Sequence, residues 1–130
     1  MFLDTSAAFA LLVSSDTNHQ RAVESFGRLE ARSATLVTTS YVLVETYALL
    51  GRRVGPEPVQ AFRDDFEPLL EAVWVDRELH ERGLGLLIER GKEDLSLVDA
   101  VSFLVIPRQG VEEVFAYDRH FEQEGFALLR

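Results

Sequence analysis

The sequence predicts an α/β sandwich built on a mostly parallel sheet. Short runs rich in β-branched and apolar residues recur along the chain, at Thr35–Thr38 (TLVT), Ala72–Val75 (AVWV) and Val114–Tyr117 (VFAY). Between them lie stretches whose apolar residues repeat at helical spacing. The 130 residues, 47% apolar and 27% charged, suit one domain with one hydrophobic interior. Strands that alternate with helices are joined by crossovers, and crossovers make neighbouring strands parallel. No linker, repeat or low-complexity run divides residues 1–130.

Phe2–Leu3 is a brief apolar start, and Ser6 to Val13 follows as a helix. Asp16 or Thr17 can cap a second helix, in which Ala22, Val23, Phe26 and Leu29 share a face. After the TLVT strand, Ser40 can cap a helix that runs to about Gly51. Gly55-Pro56-Glu57-Pro58 marks a turn. Val59, Phe62, Phe66, Leu69 and Leu70 then form one helical face before the AVWV strand. Glu78 to Arg90 is a helix, and Lys92 to Asp94 a charged loop. Ser96 or Asp94 caps an apolar helix that ends near Pro107 to Gly110. The VFAY strand and a short last one, Phe126–Leu129, complete the chain.

Composition excludes several function classes. Without cysteine there is no disulfide framework, thiolate zinc site or cysteine nucleophile. The apolar N-terminus is too short to span a bilayer, lacks a basic leader and is interrupted by Asp4. A soluble cytoplasmic protein with no membrane segment is expected. The formal charge of −9 is unusual for a protein that binds nucleic acid. Gly83-x-Gly85 lies inside a helical pattern, so no glycine loop after a strand is available to hold a nucleotide phosphate.

Four acids stand apart from the rest. Asp4 is the only charged residue between Met1 and Ser15, Glu45 the only one between Ser33 and Gly51, and Asp99 the only one between Leu95 and Pro107. Asp118 directly follows the VFAY run. Burying an ionised carboxylate costs several kcal/mol or more unless it is compensated. Asp4 and Asp118 follow strands, Glu45 lies in a helix after a strand, and Asp99 lies near a helix start. In an open α/β sheet such points can converge at one edge. Two carboxylates about 4 Å apart repel by roughly 4 kcal/mol at an effective dielectric near 20. A cluster of four calls for cations, and oxygen donors select Mg²⁺ or Mn²⁺. Local roles compete with this reading. Asp4 can cap the first helix, Asp99 lies three residues after Ser96 as in a capping box, and Asp118 suits a turn. Glu45 lies too deep in its helix to be a cap.

Four segments carry a wider similarity: FLDTSA at the start, VLVETYALL in the middle, DLSLVDAVSF later and FAYDRHFEQEGF near the end. Together they resemble the PIN-domain family, especially its VapC-type toxin ribonucleases, over essentially the whole chain. The resemblance implies a three-layer α/β/α sandwich and an acidic catalytic site formed by Asp4, Glu45, Asp99 and Asp118. It implies Mg²⁺- or Mn²⁺-dependent hydrolysis of RNA, a homodimer and inhibition by a small antitoxin protein. Under it, Asp4 and Asp99 are the first metal ligands, and Glu45 orients water or completes the shell with Asp118. Thr5, Ser6 and Ser96 supply supporting hydrogen bonds or cap helices. Arg52, Arg53 and Arg119 either meet phosphates or are simply solvated. Asp94 reads as a cap, His120 as a surface residue at a helix start, and His19 and His80 as residues of charged helices.

Two other functions remain open at this level. One is a non-catalytic interaction module on the same fold. The other is a haloacid-dehalogenase-like phosphohydrolase with Asp4 as nucleophile. The second expects another aspartate at position 6, where this chain has Ser6, and a phosphate-binding lysine, where Lys92 lies in a charged loop.

Overall fold

The computed structural model describes residues 1–129. Its five strands are β1 (Phe2–Leu3), β2 (Leu36–Thr39), β3 (Leu70–Val73), β4 (Glu113–Phe115) and β5 (Ala127–Leu128). All neighbours are parallel, in the order β3-β2-β1-β4-β5. The helices are α1 (Thr5–Leu12), α2 (His19–Ala31), α3 (Ser40–Arg53), α4 (Pro56–Ala61), α5 (Arg77–Arg90), α6 (Leu97–Arg108) and α7 (Arg119–Gln123).

Alternation along each strand divides the interior into two layers. Leu3, Leu36 and Phe115 face α1, α2 and α3, meeting Ala7, Leu11, Leu29, Leu43 and Leu50. Phe2, Val37 and Val114 face the other way, towards Leu79 of α5, Val101, Phe103 and Ile106 of α6, and Phe121 of α7. The result is the expected three-layer α/β/α sandwich. No helix among the described residues is long and apolar enough to cross a membrane.

Several boundaries differ from expectation, each for a local reason. Thr39, not Ser40, caps α3, its side chain accepting from the Val42 N–H at 3.1 Å. The Ser40 hydroxyl instead accepts from the Val75 N–H at 2.9 Å, where the chain leaves β3. Asn18 precedes α2 without a side-chain cap bond, and Asp16 instead accepts from the Asn18 N–H at 2.8 Å. The helix expected to continue through Leu70 breaks up. After α4 comes a π-helical turn, Phe62–Phe66, and then a 3₁₀ turn, Glu67–Leu69. Pro68 has no N–H for a longer helix, so the chain enters β3 at Leu70, opposite Leu36. β4 stops at Phe115 because β1 has already ended. The Asp4 N–H makes the last bond to the Phe115 carbonyl at 3.1 Å.

The α5–α6 contact sets how deeply α6 sits. A β-carbon at Gly83 would lie 2.6 Å from Val101 Cγ2 and 3.3 Å from Leu97 Cδ1. Val101 is wholly buried and its branched side chain has little rotamer freedom. Gly83→Ala is therefore expected to lower stability by about 1–2 kcal/mol, overpacking outweighing the better helix propensity of alanine. A urea-melt midpoint at or above that of the parent would contradict it.

Candidate active site

The strand order places a switch point between β1 and β4. From β1 the chain crosses to β2 on one side, while β4 flanks β1 on the other. In open α/β sheets, ligand sites form beyond the carboxyl ends of such strands. Asp4 follows β1 directly, and Asp118 lies three residues past the end of β4. α3, which follows β2, brings Glu45 to the same edge, and the first turn of α6 brings Asp99. All four acids line one cleft of about 310 Å³, together with Thr5, Ser6, Asp16, Asn18, Arg53 and Ser96.

Three of these acids also serve helix ends. Asp4 caps α1: its Oδ2 accepts from the Ser6 N–H at 3.1 Å and the Ser6 hydroxyl at 2.7 Å. Asp99 closes a capping box on α6, its Oδ2 accepting from the Ser96 N–H at 3.2 Å while Ser96 Oγ accepts from the Asp99 N–H at 3.1 Å. Asp118 caps α7, its Oδ1 accepting from the His120 N–H at 2.9 Å. The local roles weighed from sequence are thus real, yet the same carboxylates share the cleft. The starts of α1, α6 and α7 meet here, and their N–H groups and dipoles offset part of the negative charge.

The supporting residues connect the acids to the frame. The Ser6 hydroxyl, besides donating to Asp4, accepts from the Tyr117 N–H at 2.9 Å, so it ties α1 to the chain leaving β4. Thr5 is buried against α3, its hydroxyl donating to the Val42 carbonyl at 3.5 Å and accepting from the Thr46 hydroxyl at 3.4 Å, and it opposes the rise of the Glu45 carboxyl. α7 is anchored from behind by Arg90, which donates to Glu124 just past its end at 2.9 Å.

Electrostatics mark the same group. Asp4 is 3% exposed, and burial raises its carboxyl to about 7; the charges of Asp99 and Asp118 add to the rise while the Ser6 bonds oppose it. Burial also raises Glu45 and Asp99, with further upward pressure on both from Asp118. His120 opposes the rise at Asp99.

The other sequence-derived candidates divide. Arg53 lines the cleft, its guanidinium 5.7 Å from the Phe9 ring centroid. Arg52 is exposed and lies outside the cleft lining. Arg119 borders a neighbouring groove with Arg90, Asp94 and Glu124, and Asp94 does not cap α6. His19 Nδ1 lies 2.7 Å from the Ala10 carbonyl oxygen, and His80 meets the Tyr41 hydroxyl, so both are structural.

One expectation is corrected in part. His120 lies at a helix start with its side chain 23% exposed, but its Nδ1 is buried, 2.9 Å from Asp118 Oδ1 and 3.4 Å from Asp99 Oδ2. Donor atoms of Asp99, Asp118 and His120 lie within 4.8 Å of one another, a spacing that could hold one metal ion. Sequence reading also missed Asp16 and Asn18. They lie in a polar loop before α2, where an acid looks like an ordinary cap.

Residues 1–126 match the family described as PIN domain. The chain belongs to the PIN-domain family. It is 30% identical, over 131 aligned positions, to the 23S rRNA-specific endonuclease VapC20 of Mycobacterium tuberculosis, in strains CDC 1551 / Oshkosh and H37Rv. That match covers 100% of this chain and 98% of the relative. The crystal structure of VapC20, described as a Sarcin-Ricin loop cleaving toxin, superposes with a TM-score of 0.83 over 97% of this chain and 95% of that one, at 30% identity. PAE2754 from Pyrobaculum aerophilum shares the fold, with a TM-score of 0.65 and 20% identity over 98% and 87% of the two chains. PIN membership sets aside the dehalogenase-like alternative.

The donor set fits a divalent cation. Carboxylate oxygens converge where their mutual repulsion needs a positive charge, and the buried His120 Nδ1 lacks a hydrogen-bond partner. The raised Asp4 pKa has a consequence for the metal-free protein. The folded state holds more protons than the unfolded state between pH 3.8 and about 7. Stability in chelator is therefore expected to fall as the pH rises through that window. Asp4→Asn retains a good capping residue and removes the charge. At pH 8 in chelator it should be as stable as the parent or more so, by up to roughly 1–3 kcal/mol, with a shallower pH slope. A clear loss in a thermal melt would show that capping by the carboxylate outweighs its repulsion.

Proposed function

We propose that this protein is a divalent-metal-dependent endoribonuclease with its active site at Asp4, Glu45, Asp99 and Asp118. The reading is carried by one observation: four acids distant in sequence line a single cleft at the sheet's switch point. Asp4, Asp99 and Asp118 are the ligands we assign to Mg²⁺ or Mn²⁺. When bound, the ion supplies Lewis-acid activation of water and neutralises charge at the phosphate. Glu45 is half-buried and carries a carboxyl raised by burial, which suits it to orient the attacking water and accept its proton. The water oxygen attacks phosphorus, the ester bond to the ribose oxygen breaks, and that oxygen leaves as a hydroxyl after taking a proton from solvent. Ser6 and Ser96 hold Asp4 and Asp99 in orientation through the bonds described above.

The substrate class follows from the charge. At −9, or −5 with the four site acids set aside, the chain has little attraction for long RNA. Local recognition of a structured loop suits it better, and Arg53 is the cation placed to meet a phosphate in the cleft. The relative VapC20 acts on 23S rRNA and cleaves its Sarcin-Ricin loop. We extend that class, a structured ribosomal RNA loop, to this chain, together with a toxin role in which a small antitoxin inhibits it and two copies pair.

The test is cleavage of a panel of structured RNAs that includes the Sarcin-Ricin stem-loop. EDTA should abolish cleavage, and Mn²⁺ or Mg²⁺ should restore it. Asp99→Asn should lower kcat by at least about 100-fold with the fold intact by circular dichroism. Full activity in that variant or in EDTA would defeat the proposal. Arg53→Ala should raise KM by about 3–10-fold with a smaller change in kcat, as expected for loss of one phosphate contact.

A further inference from the structure

His120 lines the groove beside the acidic cleft, yet its buried Nδ1 faces two of the cleft's acids. The short α7 holds its ring against Asp118, two residues earlier, and against Asp99 from α6. Nδ1 is within 2.9 Å and 3.4 Å of carboxylate oxygens, yet it is buried without a well-formed hydrogen bond to either. A buried polar atom without a well-formed hydrogen bond is costly to the fold. The backbone N–H of the same residue already serves Asp118 Oδ1. The ring nitrogen therefore adds nothing to the cap and is left facing the two acids.

The spacing suits one coordination shell. An octahedral ion with bonds of about 2.1 Å places adjacent donors about 3 Å apart and opposite donors about 4.2 Å apart. The donor atoms of Asp99, Asp118 and His120 all lie within 4.8 Å of one another, so modest side-chain adjustment brings all three to one ion. His19 and His80 lie outside this cluster and are engaged with Ala10 and Tyr41.

We propose that His120 donates an imidazole nitrogen to the ion held by Asp99 and Asp118, so that the site takes first-row transition ions such as Mn²⁺ in preference to Mg²⁺. Carboxylates and water alone suit Mg²⁺, whereas imidazole is a better ligand for transition ions. This inference rests on the metal-dependent reading above and adds a nitrogen donor to it. The competing role for His120 is a protonated partner that balances the two carboxylates, which requires no bond to an ion.

Mn²⁺ itself is the probe. Pulsed electron paramagnetic resonance of the intact protein with bound Mn²⁺ should show hyperfine modulation from a directly bound nitrogen. Labelling histidine with ¹⁵N should change that modulation to the ¹⁵N pattern. His120→Asn should remove it and weaken Mn²⁺ binding about tenfold, while Mg²⁺ affinity changes by less than about twofold. Mn²⁺ binding without nitrogen modulation in the parent would overturn the inference and leave the carboxylate site standing. Failure of the parent to bind Mn²⁺ at all would overturn both readings. The ¹⁵N experiment uses the parent chain, so it decides the matter even if His120→Asn does not fold.

Discussion

The arrangement depends on keeping several carboxylates close together in a poorly solvated cleft without tearing the frame apart. β1 and β4 lie side by side at the switch point, and Asp4 and Asp118 follow them. Repulsion between these acids would favour separation, so the frame has to resist it. Two local devices do so. Each aspartate accepts hydrogen bonds from the start of a helix, which replace lost hydration. Ser6 then joins the two sides, donating to Asp4 while accepting from the backbone at Tyr117.

These bonds also explain why helix capping and metal binding cannot be treated as rival explanations here. A carboxylate has two oxygens and about four lone-pair positions. One oxygen can satisfy a helix start while capacity remains for another ligand. An alanine scan would confound the two roles, because it removes the cap along with the charge. Asparagine separates them, keeping an oxygen acceptor for the helix while abolishing the charge. Glu45 is different: it lies mid-helix, has no capping duty, and reaches the cleft from α3, where Thr5 of α1 also lines it.

Much of this was legible in the sequence where polarity and surroundings conflict. Asp4, Glu45 and Asp99 each interrupt an apolar stretch, and Asp118 ends one, so all four stand out without a structure. The alternation of strands and helices likewise fixed the parallel sheet and its layers. His120 escaped notice for the opposite reason: it sits in YDRHFEQE, where a polar residue is ordinary. Only the turn of α7, which points its ring back towards Asp99, distinguishes it. The broken helix before β3 was also hidden. Its apolar spacing continues through Leu70, but Pro68 and the π-helical turn end the helix first.

Arg90 and Glu124 give this geometry an external fastening. α7 has five residues, too few to be stable alone, yet Asp118 sits at one end of it and Glu124 just beyond the other. The pair is only partly shielded, with side chains 30% and 22% exposed. Dissolved ions screen such a contact more readily than a deeply buried one. The seating of α7 is thereby tied to ionic strength: a concentrated electrolyte loosens the latch behind the cleft without entering the cleft itself.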